Sequence, residues 1–318
     1  MFRKIIIVLA LLSLIVYGLI AWGIWRSAPF VRRAIARVNT SGRPAIEVGR
    51  VTQYFALGTR THLIVNAAGD KVSVVPGKAV RVTAVQYAYP EPGAPTPRPK
   101  PPLRVDGAES GPTGFRLSVE GEGDRETREL RTDLVVEAPA SLSVEVHADE
   151  GDVDISDRVG AVSVSSSAGN VTVTRGRGPV TVETSAGNVT VTSTQGAVTV
   201  HLSAGNVIVR DAVGALRLSN RAGNIELHNV RSTDIEADNS MGNIDIVLSS
   251  PFTGRLVAHN SMGNVAVSLP RASRFRVEAH SGMGDTENSL PAEVTHGNPS
   301  AKVEVSTSMG NVELKASD

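Results

Sequence analysis

The sequence SAGNVTV occupies residues 167–173 and recurs unchanged at residues 185–191. Its glycine marks a repeat, because the same short context returns along the second half of the chain. The marker glycines are Gly151, Gly169, Gly187, Gly205, Gly223, Gly242, Gly263, Gly284 and Gly310, and the first four steps are each 18 residues long. A constant period of this size predicts stacked coils, in which a short unit buries its apolar face only against copies of itself.

Apolar residues alternate with polar ones on both sides of each marker glycine. Val171 and Val173 follow Gly169 at two and four positions, and a second alternating run begins nine residues before a marker, as in GPVTV at 178–182 and GAVTV at 196–200. Period two predicts β-strands, so each coil carries at least two. A sandwich of hairpins would alternate too, but it would not keep one residue type at one phase through many turns. The sequence therefore predicts an all-β, single-stranded β-solenoid (β-helix) of about 18-residue coils.

Asparagine follows the marker glycine in most coils. The column comprises Asn170, Asn188, Asn206, Asn224, Asn243, Asn264 and Asn311, with Asp152 and Asp285 in the other two coils. Asparagine tolerates the left-handed conformation of tight turns. In parallel coils about 4.8 Å apart its amide can also bond to the copies above and below. We interpret the column as a structural ladder in preference to a row of ligand-binding amides.

The amino terminus has the pattern of a membrane anchor. Residues 5–25 are an uncharged, mostly apolar run, preceded by Arg3 and Lys4 and followed by Arg26. The run is long enough to cross a bilayer, longer than a typical signal peptide, and not followed by a clear cleavage pattern. We therefore expect a single transmembrane helix, with residues 1–27 as an uncleaved anchor.

The sequence carries two opposite signals for the side of the membrane on which the body lies. The arginines after the run outnumber the basic residues before it, and the positive-inside rule alone would keep the body in the cytoplasm. A short basic tail before an apolar run instead resembles a signal anchor, with the tail inside. We expect an extracytoplasmic body, with the cytoplasmic face as the alternative. The chain has no cysteine, which excludes disulfides and thiolate metal sites but leaves the compartment open.

Composition divides the rest of the chain. Residues 28–60 are predicted to be a basic juxtamembrane stalk, residues 61–137 an irregular β cap, and residues 138–318 the solenoid. The cap contains a proline-rich insert at 90–102, predicted to be an extended loop or spacer. A cap is needed because a bare terminal coil exposes unpaired backbone groups.

Charge and aromatic content restrict the partners. Lys plus Arg and Asp plus Glu both number 32, so the net charge is zero and nucleic acid is not an expected partner. Aromatic residues make up 4% of the chain, and both tryptophans lie in the anchor. Carbohydrate sites often use an aromatic platform, so the composition also argues against a sugar-processing groove.

The segment TDLVVEAPASLSVEV at 132–146 and the S-x-G-[ND]-V phrases after it resemble a known family. It is the bacterial domain-of-unknown-function family of "putative adhesins", and the resemblance covers roughly residues 60–318. It implies a β-solenoid, often attached to a membrane segment, with a surface-binding role and no catalytic residues to transfer. The proline-rich insert departs from the family pattern.

One outward column holds residue types that bind metals. Four positions before the markers lie His147, His201, His259 and His280, with Glu183 and Asp238 in the same column. His259 and His280 fall in neighbouring coils and Asp238 one coil below, which would place three metal-type ligands in a ladder. Serines in the same column favour the plainer interpretation of an exposed polar strand face.

An acidic group surrounds the first coil. It consists of Asp149, Glu150, Asp152, Asp154 and Asp157. Calcium binding and paired-carboxylate glycoside chemistry are the specific interpretations, and solubilising charge at the edge of the stack is the plainer one. The sequence contains no GxSxG elbow, phosphate loop or HExxH motif. We predict a protein that is not an enzyme and uses no cofactor.

The last coils are longer, because segments are inserted at 247–253, 268–274 and 289–300. Loops on one side of a solenoid often bind partners, and the apolar residues Phe252, Leu269, Pro270, Leu290 and Pro291 would cluster there. The alternative is that they cover that edge of the core. In the same half, the residue before the marker changes from alanine to methionine, which we interpret as filling gaps in a wider coil.

These observations predict a non-catalytic, membrane-anchored β-solenoid that serves as an adhesion or scaffolding surface at the bacterial cell envelope, with a protein or cell-surface partner. Two alternatives remain. One is a cytoplasmic, membrane-tethered scaffold that polymerises through the terminal coil around residues 311–318. The other is a carbohydrate-active solenoid.

Overall fold

Twenty-five β-strands form the described part of the chain, which in this computed structural model comprises residues 45–67, 71–89, 103–120, 130–248, 251–271, 274–291 and 300–317. The predicted anchor at 5–25 and the proline-rich insert at 90–102 lie outside these ranges. Within the ranges, no helix has the length and apolarity that crossing a membrane requires. The strands below all belong to one compact unit, apart from Ile46.

The amino-terminal strands are β1 (Ile46–Phe55), β2 (His62–Ala67), β3 (Lys71–Pro76), β4 (Val80–Ala88), β5 (Arg104–Ser110), β6 (Gly114–Glu120) and β7 (Leu130–Ala138). The strands of the repeats are β8 (Ser143–Glu150), β9 (Asp152–Ser156), β10 (Val162–Ala168), β11 (Val171–Thr174), β12 (Val180–Ala186), β13 (Val189–Thr192), β14 (Val198–Ala204), β15 (Val207–Arg210), β16 (Leu216–Ala222), β17 (Ile225–His228), β18 (Asp234–Met241), β19 (Ile244–Val247), β20 (Arg255–Met262), β21 (Val265–Pro270), β22 (Phe275–Met283), β23 (Thr286–Asn288), β24 (Ala301–Met309) and β25 (Val312–Ser317). Strand β1 falls within the range predicted as a stalk.

Each repeat contributes one strand to each of two sheets. The order in the 13-stranded sheet is β1-β4-β7-β3-β9-β11-β13-β15-β17-β19-β21-β25-β23, and in the 12-stranded sheet it is β22-β24-β20-β18-β16-β14-β12-β10-β8-β2-β6-β5. The repeat strands pair in parallel with an 18-residue offset in the regular coils, as in Val162 with Val180 and Val180 with Val198. This arrangement confirms the prediction of an all-β solenoid of stacked parallel coils.

The core lies between the two sheets and consists of the alternating apolar residues. Val189 and Val191 are completely buried, as are Val171 and Val207 in the coils on either side. Their polar neighbours on the same strands, such as Thr190, are partly exposed. One face of each strand in these regular coils is therefore inside the stack, as period-two alternation predicts.

The marker glycine is required because the coils approach each other closely at that corner. Gly187 has φ +121°, a conformation that side-chain-bearing residues rarely adopt. A Cβ built on Gly187 would lie 2.0 Å from the carbonyl oxygen of Gly169 in the adjacent coil. Glycine is the residue that meets both requirements, because it has no Cβ and adopts positive φ without steric cost.

The asparagine column forms a continuous hydrogen-bonded ladder. The backbone N–H of Asn188 donates to Oδ1 of Asn170 at 3.0 Å, and Asn206 donates to Asn188 in the same way. The ladder begins at Asp152, whose Oδ1 accepts from the N–H of Asn170, and ends where Asp285 N–H donates to Oδ1 of Asn311. The amide side chain thus serves mainly as an acceptor for the backbone of the next coil, which closes the glycine corner.

Chain order and stacking order differ at both ends of the solenoid. Strands β24 and β25 lie between β20–β21 and β22–β23, so the last coil in sequence is the second to last in space. At the other end, β2 and β3 lie between β6–β7 and β8–β9. The prediction that the coil around 311–318 is terminal is therefore wrong, since β25 is paired on both edges.

The amino-terminal strands first continue the stack of parallel coils and then cover its end with antiparallel strands. Strands β2, β3, β6 and β7 pair in parallel with each other or with the repeats, and antiparallel strands β4 and β5 then cover β7 and β6. Arg158 is buried beside this junction, and its guanidinium donates to the carbonyl oxygens of Ala138, Pro139 and Leu142. The arginine thereby satisfies the backbone of the turn that joins cap and repeats.

Candidate functional site

The outer face of the 12-stranded sheet carries an unbroken polar column. Parallel pairing places in one line His147, Ser165, Glu183, His201, Ser219, Asp238, His259, Ser306 and His280. These side chains face away from the core because their neighbours along each strand, such as Val146 and Val182, are buried. The sequence prediction of a single outward column therefore describes real neighbours in most coils.

A shallow groove of about 750 Å³ crosses this face at the polar column. It is lined by residues 147–149, 165–167, 183–185, 201–203 and 219–221, together with Ser240. Half of its lining residues are serine or threonine, and Asp149, Glu183 and Arg221 add both signs of charge. We call this surface the polar groove.

Hydrogen bonds hold the end of the groove nearest the cap. The Glu145 carboxylate accepts hydrogen bonds from Nε2 of His62 at 2.8 Å and from Nε2 of His147 at 2.7 Å. The bond with His62 lowers the pKa of the Glu145 carboxyl, burial opposes this, and the bond with His147 lowers the pKa further. Glu145 therefore remains a carboxylate that fixes the position of His147.

The other end of the polar column has a different electrostatic character. Burial raises the pKa of Asp238, the neighbouring His259 acts to lower it, and Glu236 acts to raise it. Nδ1 of His259 forms a hydrogen bond of 2.7 Å with the hydroxyl oxygen of Ser306. Hydrogen-bonding side chains thus continue along the sheet beyond the groove.

The arrangement suits an extended, hydrogen-bonding ligand. Equivalent side chains recur about every 4.8 Å across the parallel strands. A ligand lying across the strands would meet the same hydroxyl positions several times, whereas a compact molecule would use only a few of them. The parallel sheet beneath is fully paired in this region, so the donors and acceptors are held in place before binding.

The predicted metal-type ladder is not assembled. Asp238 does lie beside His259, but Ser306 of β24 separates His259 from His280. The expectation that His259 and His280 are neighbours is wrong, because β24 is inserted between their strands. Nowhere in the described ranges do three or more His, Cys, Asp or Glu side chains group in a way that could hold a metal ion.

The acidic group around the first coil is engaged in structural contacts. Asp152 starts the asparagine ladder, and Asp154 forms an ion pair with Lys71 at 2.5 Å. Asp157 accepts two hydrogen bonds of 2.6 Å from Arg175 in the next coil. The contacts tie the first coil to its neighbours. The plainer interpretation placed this charge at the edge of the stack, and that placement is wrong, because β8 and β9 are each paired on both sides.

The apolar residues of the inserted segments are not a partner surface. Phe252 and Leu269 are buried at 3% and 0% exposure, Pro270 is also buried, and Leu290 and Pro291 are half-buried. The Phe252 ring stacks on Phe275 with centroids 6.4 Å apart. The interpretation as an exposed binding patch is wrong, and the alternative holds: these residues cover the edge of the core.

Two features of the later coils were not predicted. Asn220, Asn239 and Asn260 are buried, and each donates from Nδ2 to the carbonyl oxygen of a marker glycine in the coil before it, over 2.7–3.0 Å. The signal was present, since each of these asparagines precedes a marker glycine by three residues. The methionines before the later markers are exposed, so the prediction that they fill gaps in the core is wrong.

Three solved structures of bacterial proteins are similar to this chain at low sequence identity. A "putative adhesin" from Bacteroides fragilis NCTC 9343 is 13% identical, with a TM-score of 0.42, and the match covers 84% of this chain and 97% of that one. A "putative lipid binding protein" from Parabacteroides distasonis ATCC 8503 is 10% identical, with a TM-score of 0.36, covering 85% and 97%. A "putative cell adhesion protein" from Clostridium sporogenes ATCC 15579 is 9% identical, with a TM-score of 0.28, covering 84% and 99%.

No curated protein matches the sequence. The family model described as Toastrack DUF4097 matches residues 143–315, which is more than half of the chain. The matched region extends from the start of β8 into β25 and so contains all the regular coils. The resemblance to a domain-of-unknown-function family of adhesin-like proteins is confirmed, and the chain belongs to the Toastrack DUF4097 family.

Proposed function

We propose that this protein is a non-catalytic, membrane-anchored β-solenoid whose polar groove is an adhesion or scaffolding surface at the bacterial cell envelope. The single observation that supports this most directly is the polar column on the 12-stranded sheet. It joins side chains from successive coils into one surface on a rigid base. The occupant would be an extended polar polymer, such as a glycan or peptide chain of the envelope.

The chemistry of the polar groove suits binding a polymer better than catalysing a reaction on it. Glu183 lies between Ser165 and His201 in the column, and the surface around it is open and rich in hydroxyls. An open surface leaves a bound polymer in contact with water, whereas catalytic groups gain strength from a closed site. Many weak hydrogen bonds spread over several coils are typical of adhesion.

Charged substitutions in the groove provide a direct test. The double variant S185R/S203R places two long cations on adjacent strands at the groove, at positions that are exposed or half-exposed. The matched control T172R/T190R places two arginines in adjacent coils on the outer face of the opposite sheet. The full-length protein in detergent would be mixed with isolated bacterial cell walls and sedimented.

We expect wild type and the control to sediment with the walls and the groove variant to remain in solution. Circular dichroism and melting temperature would show whether both variants are folded. Equal sedimentation of the groove variant and the control, or none by the wild type, would contradict the proposal for the groove.

The location of the body is a separate part of the proposal. The anchor is proposed from the apolar run at 5–25, and the extracytoplasmic side from the short basic tail before the run. The test is protease treatment of intact cells that express the protein with a carboxyl-terminal tag. Loss of the tag on intact cells supports an extracytoplasmic body, and protection until the cells are lysed supports the cytoplasmic alternative.

One observation favours the second candidate, a polymerising scaffold. Among the described strands, β22 and β23 end their sheets and are each paired on one side only. Free strand edges are templates for pairing with another chain. A scaffold would therefore assemble through β22 and β23, and electron microscopy of the full-length protein at increasing concentration would show filaments.

A further inference from the structure

Four methionines form one exposed column along a corner of the solenoid. In spatial order they are Met241, Met262, Met309 and Met283, which pair in register on β18, β20, β24 and β22. Their exposed fractions are 45%, 40%, 41% and 65%. We call this column the methionine ladder.

The ladder is a specific feature of this chain's composition. The chain contains five methionines, and the fifth is Met1. The equivalent position is alanine in the four preceding coils, and Ala222, the last of these, is in register with Met241. Apart from Met1, methionine therefore occurs only where four neighbouring coils expose it, although the core is filled by Val, Ile and Leu.

Hydrogen bonds fix the backbone beneath the ladder from both sides. The carbonyl oxygens of Met262, Met309 and Met283 each accept from the marker glycine of the preceding coil, at 2.9, 2.8 and 2.9 Å. Side chains buried or half-buried behind the corner tie the same coils together. Asn260 donates to Gly242 O at 2.7 Å, Thr307 to Gly263 O at 3.0 Å and Ser281 to Gly310 O at 2.7 Å.

The register brings soft donor atoms close together. Parallel strands are about 4.8 Å apart, so consecutive methionines start at that separation. Each side chain has three rotatable bonds beyond the fixed backbone, which lets neighbouring sulfurs converge on one point. Thioethers are neutral, so no buried charge or ion pair has to be disrupted when they bind a cation.

Ligand softness decides which cation fits. Thiolate and thioether sulfurs select Cu(I), whereas carboxylate and carbonyl oxygens select Mg²⁺ and Ca²⁺. The chain has no cysteine, so the methionine ladder contains all its soft donors apart from Met1. We propose that the methionine ladder is a binding site for a soft monovalent cation, Cu(I), coordinated by thioether sulfurs of adjacent coils. The site lies at a corner and does not depend on the proposed role of the polar groove.

An apolar contact stripe is the other use of exposed methionines, and the test must separate the two. Leucine preserves the apolar character and nearly the volume of methionine but removes the sulfur. The variant M262L/M309L changes the two central positions and so breaks every run of neighbouring sulfurs in the ladder. Ala222→Met, in register with Met241, lengthens the ladder by one coil.

The measurement uses the full-length protein in detergent and Ag(I) as a redox-stable probe for Cu(I). Titration calorimetry would record Ag(I) binding, and competition with a colorimetric Cu(I) chelator would then test Cu(I) under reducing conditions. We expect saturable binding by the wild type, its loss in M262L/M309L with an unchanged melting temperature, and an increase in affinity or stoichiometry in Ala222→Met.

Two results would overturn the proposal. Absence of saturable Ag(I) binding by the wild type would show that the ladder does not act as a site. Undiminished binding by M262L/M309L would assign the bound Ag(I) to other groups, such as the histidines of the polar column, and would leave the methionines as an apolar stripe.

Discussion

Replacing a marker glycine by alanine tests the stacking arrangement most directly. In Gly187→Ala the new Cβ would lie 2.0 Å from the carbonyl oxygen and 2.6 Å from the carbonyl carbon of Gly169. Both are backbone atoms of a fully paired coil, so neither can rotate away as a side chain would. The residue would also keep a φ of +121° that alanine rarely adopts.

The two costs can be estimated separately. A side-chain-bearing residue in a sparsely populated backbone region costs about 1–3 kcal/mol. Overpacking a well-filled region costs about 1–3 kcal/mol more. We therefore expect Gly187→Ala to lower the free energy of unfolding by about 2–6 kcal/mol.

Gly111 supplies a matched control for the conformational cost. It lies in the turn between β5 and β6 with φ +70°, and a Cβ built there meets nothing within 4 Å. Gly111→Ala should cost only the left-handed strain of about 1–2 kcal/mol. Urea denaturation followed by circular dichroism would measure both variants. If Gly187→Ala were no more destabilised than Gly111→Ala, the close approach of the coils at the glycine corner would be refuted.

Three further predictions concern the core, the asparagine ladder and the pair formed by Asp157 and Arg175. Val189→Asp puts a carboxyl into a completely buried position, and we expect a loss on the order of 4 kcal/mol; an unchanged melting temperature would contradict the inward assignment. Asn206→Ala removes the Oδ1 that accepts from Asn224 N–H at 2.9 Å and should cost about 0.5–1.5 kcal/mol in the same assay. The hydrogen bond from Arg175 lowers the pKa of Asp157. Because the folded-state pKa lies below the unfolded one, the contribution of this pair is present above the ordinary aspartate pKa and is lost as pH falls through the lowered value. Arg175→Gln should therefore reduce stability near neutral pH and flatten its decline in acid, and a melting-temperature profile that parallels wild type at every pH would argue against the pair.

Local pattern was sufficient to predict the repeating part of the fold. Alternation of Val171, Thr172 and Val173 specifies a strand with one buried face, because successive side chains point to opposite sides. The 18-residue recurrence of glycine and asparagine specifies which residues lie above each other, because only stacked coils need the same corner at the same phase. The polar column on the outer face follows from the same two facts.

The ends of the stack were decided by the tertiary structure. Sequence order places His280 next to His259, whereas β24 occupies the position between them. Coils with the same pattern are nearly interchangeable as neighbours. The twelve residues between β23 and β24 are enough chain for β24 to take the position between β20 and β22. Loop closure costs little more as a loop lengthens, so the sequence has no strong local signal for the order.

The tertiary structure also determined which side chains are buried at the corners of the coils and in the inserted segments. The sequence by itself established the strands, the period and the ladder, because these depend on each residue's neighbours along the chain and on the copy one period away. It did not establish that Phe252 is covered by Phe275 or that Met262 is exposed. Alternation stops at a turn, and the side of the chain that faces solvent there depends on which coil lies next to it.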